Sequence, residues 1–310
     1  MEKAENVYRV TVMTDMHLMP GDYEDGFESV DKLVGASRPD FVVFNGDNFF
    51  GFNGEDLAFY DRLDAYFREK GIKWTAILGN HDGEYNSADR RSIAEHIANL
   101  PGTVSELNPI GKRYGNFFYD TPVAGIALAF LDSGGKATLS ERIRSGFSSK
   151  YAALTKEQIA FYLNEAHGKR AVFLFIHIPL NEFENGYYLA LANCKVIYGA
   201  VRENITPEGK LNRFGDIVCS PAVNTGFFDA AAKEGNLKAV FAGHDHLNDF
   251  AVDYKGVRLV QVQRSFSSKL ASYGFKKRGF TDFSGATVLD VTENGFDVKQ
   301  LFLKDLSKDL

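Results

Sequence analysis

Residues Ile72 to Asp82 read IKWTAILGNHD. The first seven are mostly apolar, with β-branched and aromatic members, and the run then breaks into glycine, asparagine, histidine and aspartate. It is long enough for one strand and short for a helix. The same form occurs twice upstream, where YRVTVMTD (8–15) and PDFVVFNGD (39–47) are apolar runs that stop at an aspartate. Between them, Phe27, Val30, Leu33 and Val34, and then Leu57, Tyr60, Leu63 and Phe67, recur at three-to-four spacing and predict helices. Strand alternating with helix predicts βαβ units with parallel strands buried on both faces. All three polar tails then fall on one edge of the sheet, at the carboxyl ends of its strands, where such sheets bind ligands.

Further along, GNFFYDTPV and GIALAFLDSG read as strands, and a helix is expected from about Thr155 to His167, with Thr155 and Gln158 as a capping box and Gly168 at its stop. AVFLFIHIP and LKAVFAGHDH are apolar runs ending in histidine. DFAVDY, VRLVQVQ, ATVLDVT and FDVKQLFL alternate with Gly or Asn turns and read as antiparallel strands. Residues 181–225 are the least regular part, a lid or a loop with short helices. The sequence contains no internal repeat and no Pro/Ser-rich linker, so one domain over residues 1–310 is expected.

The composition is that of an ordinary globular chain: 310 residues, 45% hydrophobic, 25% charged, net charge −6. This mild acidity offers no footprint for nucleic acid or an anionic membrane. The apolar stretches stop short of a membrane span, so no membrane partner is expected, and the oligomeric state is open. Cys194 and Cys219 lack a CxxC spacing and allow at most one bridge. MEKAENVYRV lacks a signal peptide's basic start and apolar run. The expected compartment is therefore the cytoplasm if that N-terminus is native, and the periplasm or exterior if a signal has been removed. The sequon at Asn204 matters only in a glycosylating pathway.

Five strand-like runs end in Asp15 and His17, Asp47, Asn80 with His81 and Asp82, His177, and His244 with His246. Five of the seven histidines in the chain sit at these ends, too many for scattered core residues. On a strand His244 and His246 would share a face and aim together past its end, although a polar turn explains them equally well. Imidazole, carboxylate and amide groups together suit two divalent cations of intermediate softness, Mn, Fe or Zn, better than Mg or Ca.

Taken in order, TDMH, NGDN, GNHD, the strand-end His177 and GHDH resemble the calcineurin-like metallophosphoesterases. The resemblance spans Asp15 to His246. Stretches such as GDNFFGF, RYGNFFY and AVFAGHDHLNDF look most like the fungal and plant phosphatases related to purple acid phosphatases. It implies a four-layer α/β/β/α sandwich of two mixed β-sheets with flanking helices, a single parallel sheet being the alternative. It also implies one metal on Asp15, His17 and His246, a second on Asn80, His177 and His244, and Asp47 bridging both. His81 then faces the substrate, with Asp82 beside it to orient the imidazole. Purple enzymes use a tyrosine where this chain has Phe50, so a colourless protein with two divalent ions is expected.

The implied activity is phosphomonoester hydrolysis by attack of a metal-bridged hydroxide, with His81 assisting the leaving group. A phosphodiesterase or nucleotide hydrolase on the same site is the alternative, and a non-catalytic metal-binding module the third reading. Asn248, Asp249, Arg264 and Tyr273 are candidate substrate contacts, with Lys276 and Arg278 nearby. Ser133 and Gly134 are candidates for the rim. His96 and His167 read as structural, and GDYEDG (21–26) as a solvated turn rather than a calcium loop.

Overall fold

The computed structural model describes all residues except 2, 20, 50–55, 85–87, 204–216, 267–282 and 307–310. Phe50, the Asn204 sequon, Tyr273, Lys276 and Arg278 therefore lie outside the described residues.

Strands β1 (Tyr8–Met13), β2 (Phe41–Asn45) and β3 (Lys73–Ile77) are parallel. With β10 (Gly285–Thr292) and β11 (Gly295–Phe302) they form a five-stranded sheet ordered β11-β10-β1-β2-β3, β10 lying antiparallel to β1. A second sheet of six strands runs β4-β5-β6-β7-β9-β8. Its members are β4 (Phe117–Asp120), β5 (Ile126–Phe130), β6 (Ala171–Ile176), β7 (Leu237–Ala242), β8 (Ala251–Tyr254) and β9 (Val257–Gln261). Both sheets are mixed.

The period-two alternation of each strand divides its side chains between two cores. On β2, Phe41 and Val43 join Phe173, Phe175 and Phe241 in an apolar layer between the sheets. Val42 and Phe44 point the other way, onto α1 (Tyr23–Ser37), α2 (Asp56–Lys70) and α3 (Arg90–Asn99). On β6, Val172, Leu174 and Ile176 likewise face Tyr162, Phe183 and Phe227. Those residues come from α5 (Lys156–Ala166), α6 (Glu182–Ala192) and α7 (Phe227–Lys233). The result is helix, sheet, sheet, helix, the four-layer sandwich rather than a single parallel sheet. Two short helices, α4 (Leu139–Arg144) and α8 (Leu303–Leu306), complete the described elements.

Local signals read correctly in the main. Thr155 and Gln158 form both bonds of a capping box at α5, and His167 is its C-cap. GDYEDG is not a turn: Asp22 is the N-cap of α1 and Glu24 and Asp25 occupy its first turn, where their charge suits the dipole. Within 181–225, α6 forms and packs closely on β8 and β9, so a Cβ at Gly186 would sit 3.2 Å from Leu259 and Tyr254. The last strands are not all antiparallel, because β9 pairs parallel with β7. The hairpin β8–β9 turns at Lys255-Gly256, both at positive φ, and its more deeply buried strand, β9, takes the interior place while β8 keeps the edge. Cys194 and Cys219 are both unbridged.

Candidate metal centre

The carboxyl ends of β1, β2, β3, β6 and β7 meet where the two sheets come together. The backbone continues the pairing beyond the strands: Asp15 N–H donates to Gly46 O and His17 N–H to Asp47 O, each at 3.0 Å. Asn45 crosses between the sheets, donating to the Ile176 carbonyl at 2.7 Å. Two glycines are required by close approach. A Cβ at Gly79 would lie 2.1 Å from Asp47 Oδ1, and one at Gly243 would lie 2.1 Å from Thr14 Oγ1.

Two donor groups result. Asp15, His17 and His246 form one and Asp47, His177 and His244 the other, with the donor atoms of each within 4.8 Å of one another. Strand β7 ends at Ala242, so His244 and His246 are loop residues. His244 has φ 78°, and the two histidines reach different groups, with Asp245 turned inward between them onto Cys219 N–H and Asn248. Asp47 Oδ2 lies 3.1 Å from His177 Nε2 and 3.6 Å from His17 Nε2, so it stands between the groups.

The test of whether these residues fit cations is what their polar atoms do without them. Asp15 Oδ1, Asp47 Oδ2, Asn80 Oδ1, His177 Nε2 and both ring nitrogens of His244 are buried with no hydrogen bond. Buried polar atoms are ordinarily paired, so this concentration of orphans calls for a ligand. The other faces of the same side chains are anchored. His177 Nδ1 donates to the Asn45 carbonyl, Asp15 Oδ2 accepts His244 N–H, and Asp47 Oδ1 accepts His81 N–H.

Four of these side chains, Asp15, Asp47, His244 and His246, are in electron-donating form at neutral pH, and His177 is the exception. Burial opposes ionisation of Asp15 and Asp47, but the imidazoles around them, His177 foremost, hold both carboxyls below the usual range. Burial likewise disfavours charge on His177, and there Asp47 and Asp15 win, raising it to about 9. Burial, with His177 nearby, pushes His244 down to about 3, and burial with His17 pushes His246 down to about 4. Two ionised carboxylates and two neutral imidazoles can donate electron pairs to divalent cations.

Several expected roles change. Asp82 does not touch the imidazole of His81. It is 1% exposed and accepts the backbone N–H groups of Asn48, Phe49 and Gly79, tying the loop after β2 to the loop after β3. Glu84 orients His81 instead, its Oε2 lying 2.9 Å from His81 Nδ1. Asn248 and Asp249 are buried and committed to the fold. Asn248 Oδ1 accepts Arg202 and Glu203 N–H, and Asp249 Oδ1 accepts Ala200 N–H and pairs with Arg202, so both side chains anchor the segment around residues 200–203. Arg264 is 2% exposed and donates to the His246 carbonyl at 2.5 Å, which braces that loop. Ser133 accepts Ile178 N–H, and Gly134 lies against Arg113, inside rather than on a rim.

The opening beside the centre is a cavity of about 170 Å³ lined by Asn80, His81, Glu84, Lys136, Lys150 and Tyr151. Tyr151 meets His244 edge-on, ring centroids 4.2 Å apart. Glu84 follows His81 by three residues, a spacing that could have drawn notice; the lysines and Tyr151 carry no motif and are brought there by tertiary structure alone.

The match to a family model decides the relationship: residues 8–248 match calcineurin-like phosphoesterase. The chain belongs to the calcineurin-like phosphoesterase family. Among curated relatives, "Probable inactive purple acid phosphatase 14" of Arabidopsis thaliana is 30% identical over 74% of this chain, which spans 59% of that protein's length. "Probable inactive purple acid phosphatase 29" of the same plant is 27% identical over 84% of this chain and 67% of its own. A dimetal phosphatase from Danio rerio superposes with a TM-score of 0.53, covering 96% of each chain at 14% identity. GAP50, described as the anchor in the inner membrane complex of Plasmodium, gives 0.52 at 13% identity, over 96% of this chain and 85% of its own. A phosphatase and an anchor share this calcineurin-like fold, so the fold by itself carries no activity. Among the described residues no helix is long and apolar enough to cross a membrane.

Proposed function

We propose that this chain is a phosphoesterase that works with two divalent cations and hydrolyses phosphomonoesters. The observation that carries the reading is the set of six orphaned buried donor atoms beside a cavity that also holds His81. Asp15, His17 and His246 would hold one cation, and Asn80, His177 and His244 the other. Asp47 would serve both, and the oxygen it keeps without a hydrogen bond is Oδ2, since Oδ1 accepts His81 N–H. When bound, the cations supply positive charge for the phosphoryl oxygens and acidify water at neutral pH. The chain's own part is orientation and proton transfer: His81 Nδ1 is engaged by Glu84, so Nε2 is the atom that gives a proton to the departing alkoxide.

The names of the plant relatives favour a competing reading, a metal-holding scaffold without turnover. One assay separates the readings. Chelator-stripped protein refilled with Mn is expected to hydrolyse p-nitrophenyl phosphate faster than bis(p-nitrophenyl) phosphate, and Asp47→Asn to abolish both. Preference for the diester points to the phosphodiesterase alternative; no turnover of either ester by metal-loaded protein overturns the enzyme reading.

A further inference from the structure

We infer that the cavity beside His81 selects small phosphate esters whose leaving alcohol carries a second anionic group, read by Lys150 with Lys136; this rests on the phosphoesterase reading above. The cavity is about 170 Å³. Pockets for drug-sized ligands begin at roughly 300 Å³, so the leaving group is compact. The part of its wall that carries Lys136, Lys150 and Tyr151 is built by one excursion of the chain, residues 136–151, whose two ends are joined. Ala137 N–H donates to Lys150 O at 2.8 Å, Ala152 N–H to Gly135 O at 2.9 Å, and Lys136 pairs with Tyr151 as an antiparallel bridge. This neck fixes the two lysines and the tyrosine as a unit, while α4 occupies the tip.

The two ammonium groups are not equivalent. Lys136 lies 2.7 Å from Glu84, so its charge is offset by the carboxylate that also holds His81. Lys150 is exposed, and among the described residues no carboxylate lies within ion-pair distance of it. Its ammonium stands 5.3 Å from the centre of the Tyr151 ring. An uncompensated cation on the wall of a site that already draws a phosphoryl group favours a ligand with a second negative charge, a carboxylate or another phosphate. A neutral alcohol gains nothing from it.

3-Phosphoglycerate and glycerol 3-phosphate test this directly, because they differ only in a carboxylate against a hydroxymethyl group on the leaving alcohol. With metal-refilled protein, kcat/KM and the calorimetric Kd are expected to favour the carboxylate ester. That preference is expected to shrink about fivefold in Lys150→Met, the size of a partly exposed ion pair, and to weaken with added salt. No preference in the unsubstituted protein, or an equal preference in Lys150→Met, overturns the inference. If neither ester is turned over, the calorimetric preference still decides: its presence supports the subsite and removes the hydrolase reading, and its absence removes the subsite.

Discussion

His81 owes its orientation to a residue three positions downstream, since Nδ1 lies 2.9 Å from Glu84 and Glu84 is itself held by Lys136. A carboxylate on Nδ1 fixes the tautomer and the plane of the ring. In Glu84→Gln, turnover of esters with poor leaving groups is therefore expected to fall about tenfold, and turnover of activated aryl esters much less, because only the former need the proton. Equal losses on both would argue against this role. Partial burial would raise the Glu84 pKa, but Lys136 and His81 outweigh it and lower it. The stability this contributes is present above the ordinary glutamate range and lost as pH falls through the depressed folded value, so the thermal midpoints of Glu84→Gln and the unsubstituted chain should converge in acid. Strain marks the same neighbourhood: Asp15, His17, Asp47 and His244 all have positive φ, between 45° and 78°. Such conformations cost about 1 kcal/mol or more each and persist where surrounding structure enforces them.

At the level of elements, loops rather than strands carry the donors, and a few buried side chains hold the loops. Asp82 is the clearest of these, joining the loops after β2 and β3 through three backbone N–H groups. Burial, with Asp47 nearby, raises its pKa, yet three donors depend on it. Asp82→Ala leaves them buried without an acceptor and is expected to destabilise the fold by about 3 kcal/mol, read as a shift in denaturant midpoint. A residue that served only to orient His81 would leave that midpoint where it was. Asn248, Asp249 and Arg264 work in the same way for the loop after β7, where polar side chains that resemble substrate contacts in the sequence are consumed by backbone.

Across the whole molecule, two sheets contribute to one centre: Asp15 and Asp47 come from the first, His177, His244 and His246 from the second. Anything bound there links the two layers and stabilises the folded state by mass action. Adding Mn to chelator-treated protein at about a hundredfold its Kd should stabilise the fold by about 2.7 kcal/mol, a rise of several degrees in thermal midpoint. His177→Ala should lose most of that rise. An unchanged midpoint in the unsubstituted protein, or the same rise in His177→Ala, would show that the cations bind elsewhere.

The strands, their polar tails and the donors at those tails were legible in the sequence because each is local. A run such as IKWTAIL fixes a strand through its own side chains, and GNHD or GHDH follows it by covalent connection. The alternation of strand with helix also implied strands buried on both faces, which two packed sheets with helices outside satisfy. Tertiary structure alone decided which strands pair, as in the parallel union of β9 with β7, and what each polar side chain faces. Asp82, Asn248 and Asp249 turn inward because backbone donors far away in sequence lie within hydrogen-bond reach, and Lys136, Lys150 and Tyr151 reach the cavity because residues 136–151 close on themselves beside it. Sequence spacing specifies which face of an element a residue occupies; only the packing of distant segments determines what lies opposite that face.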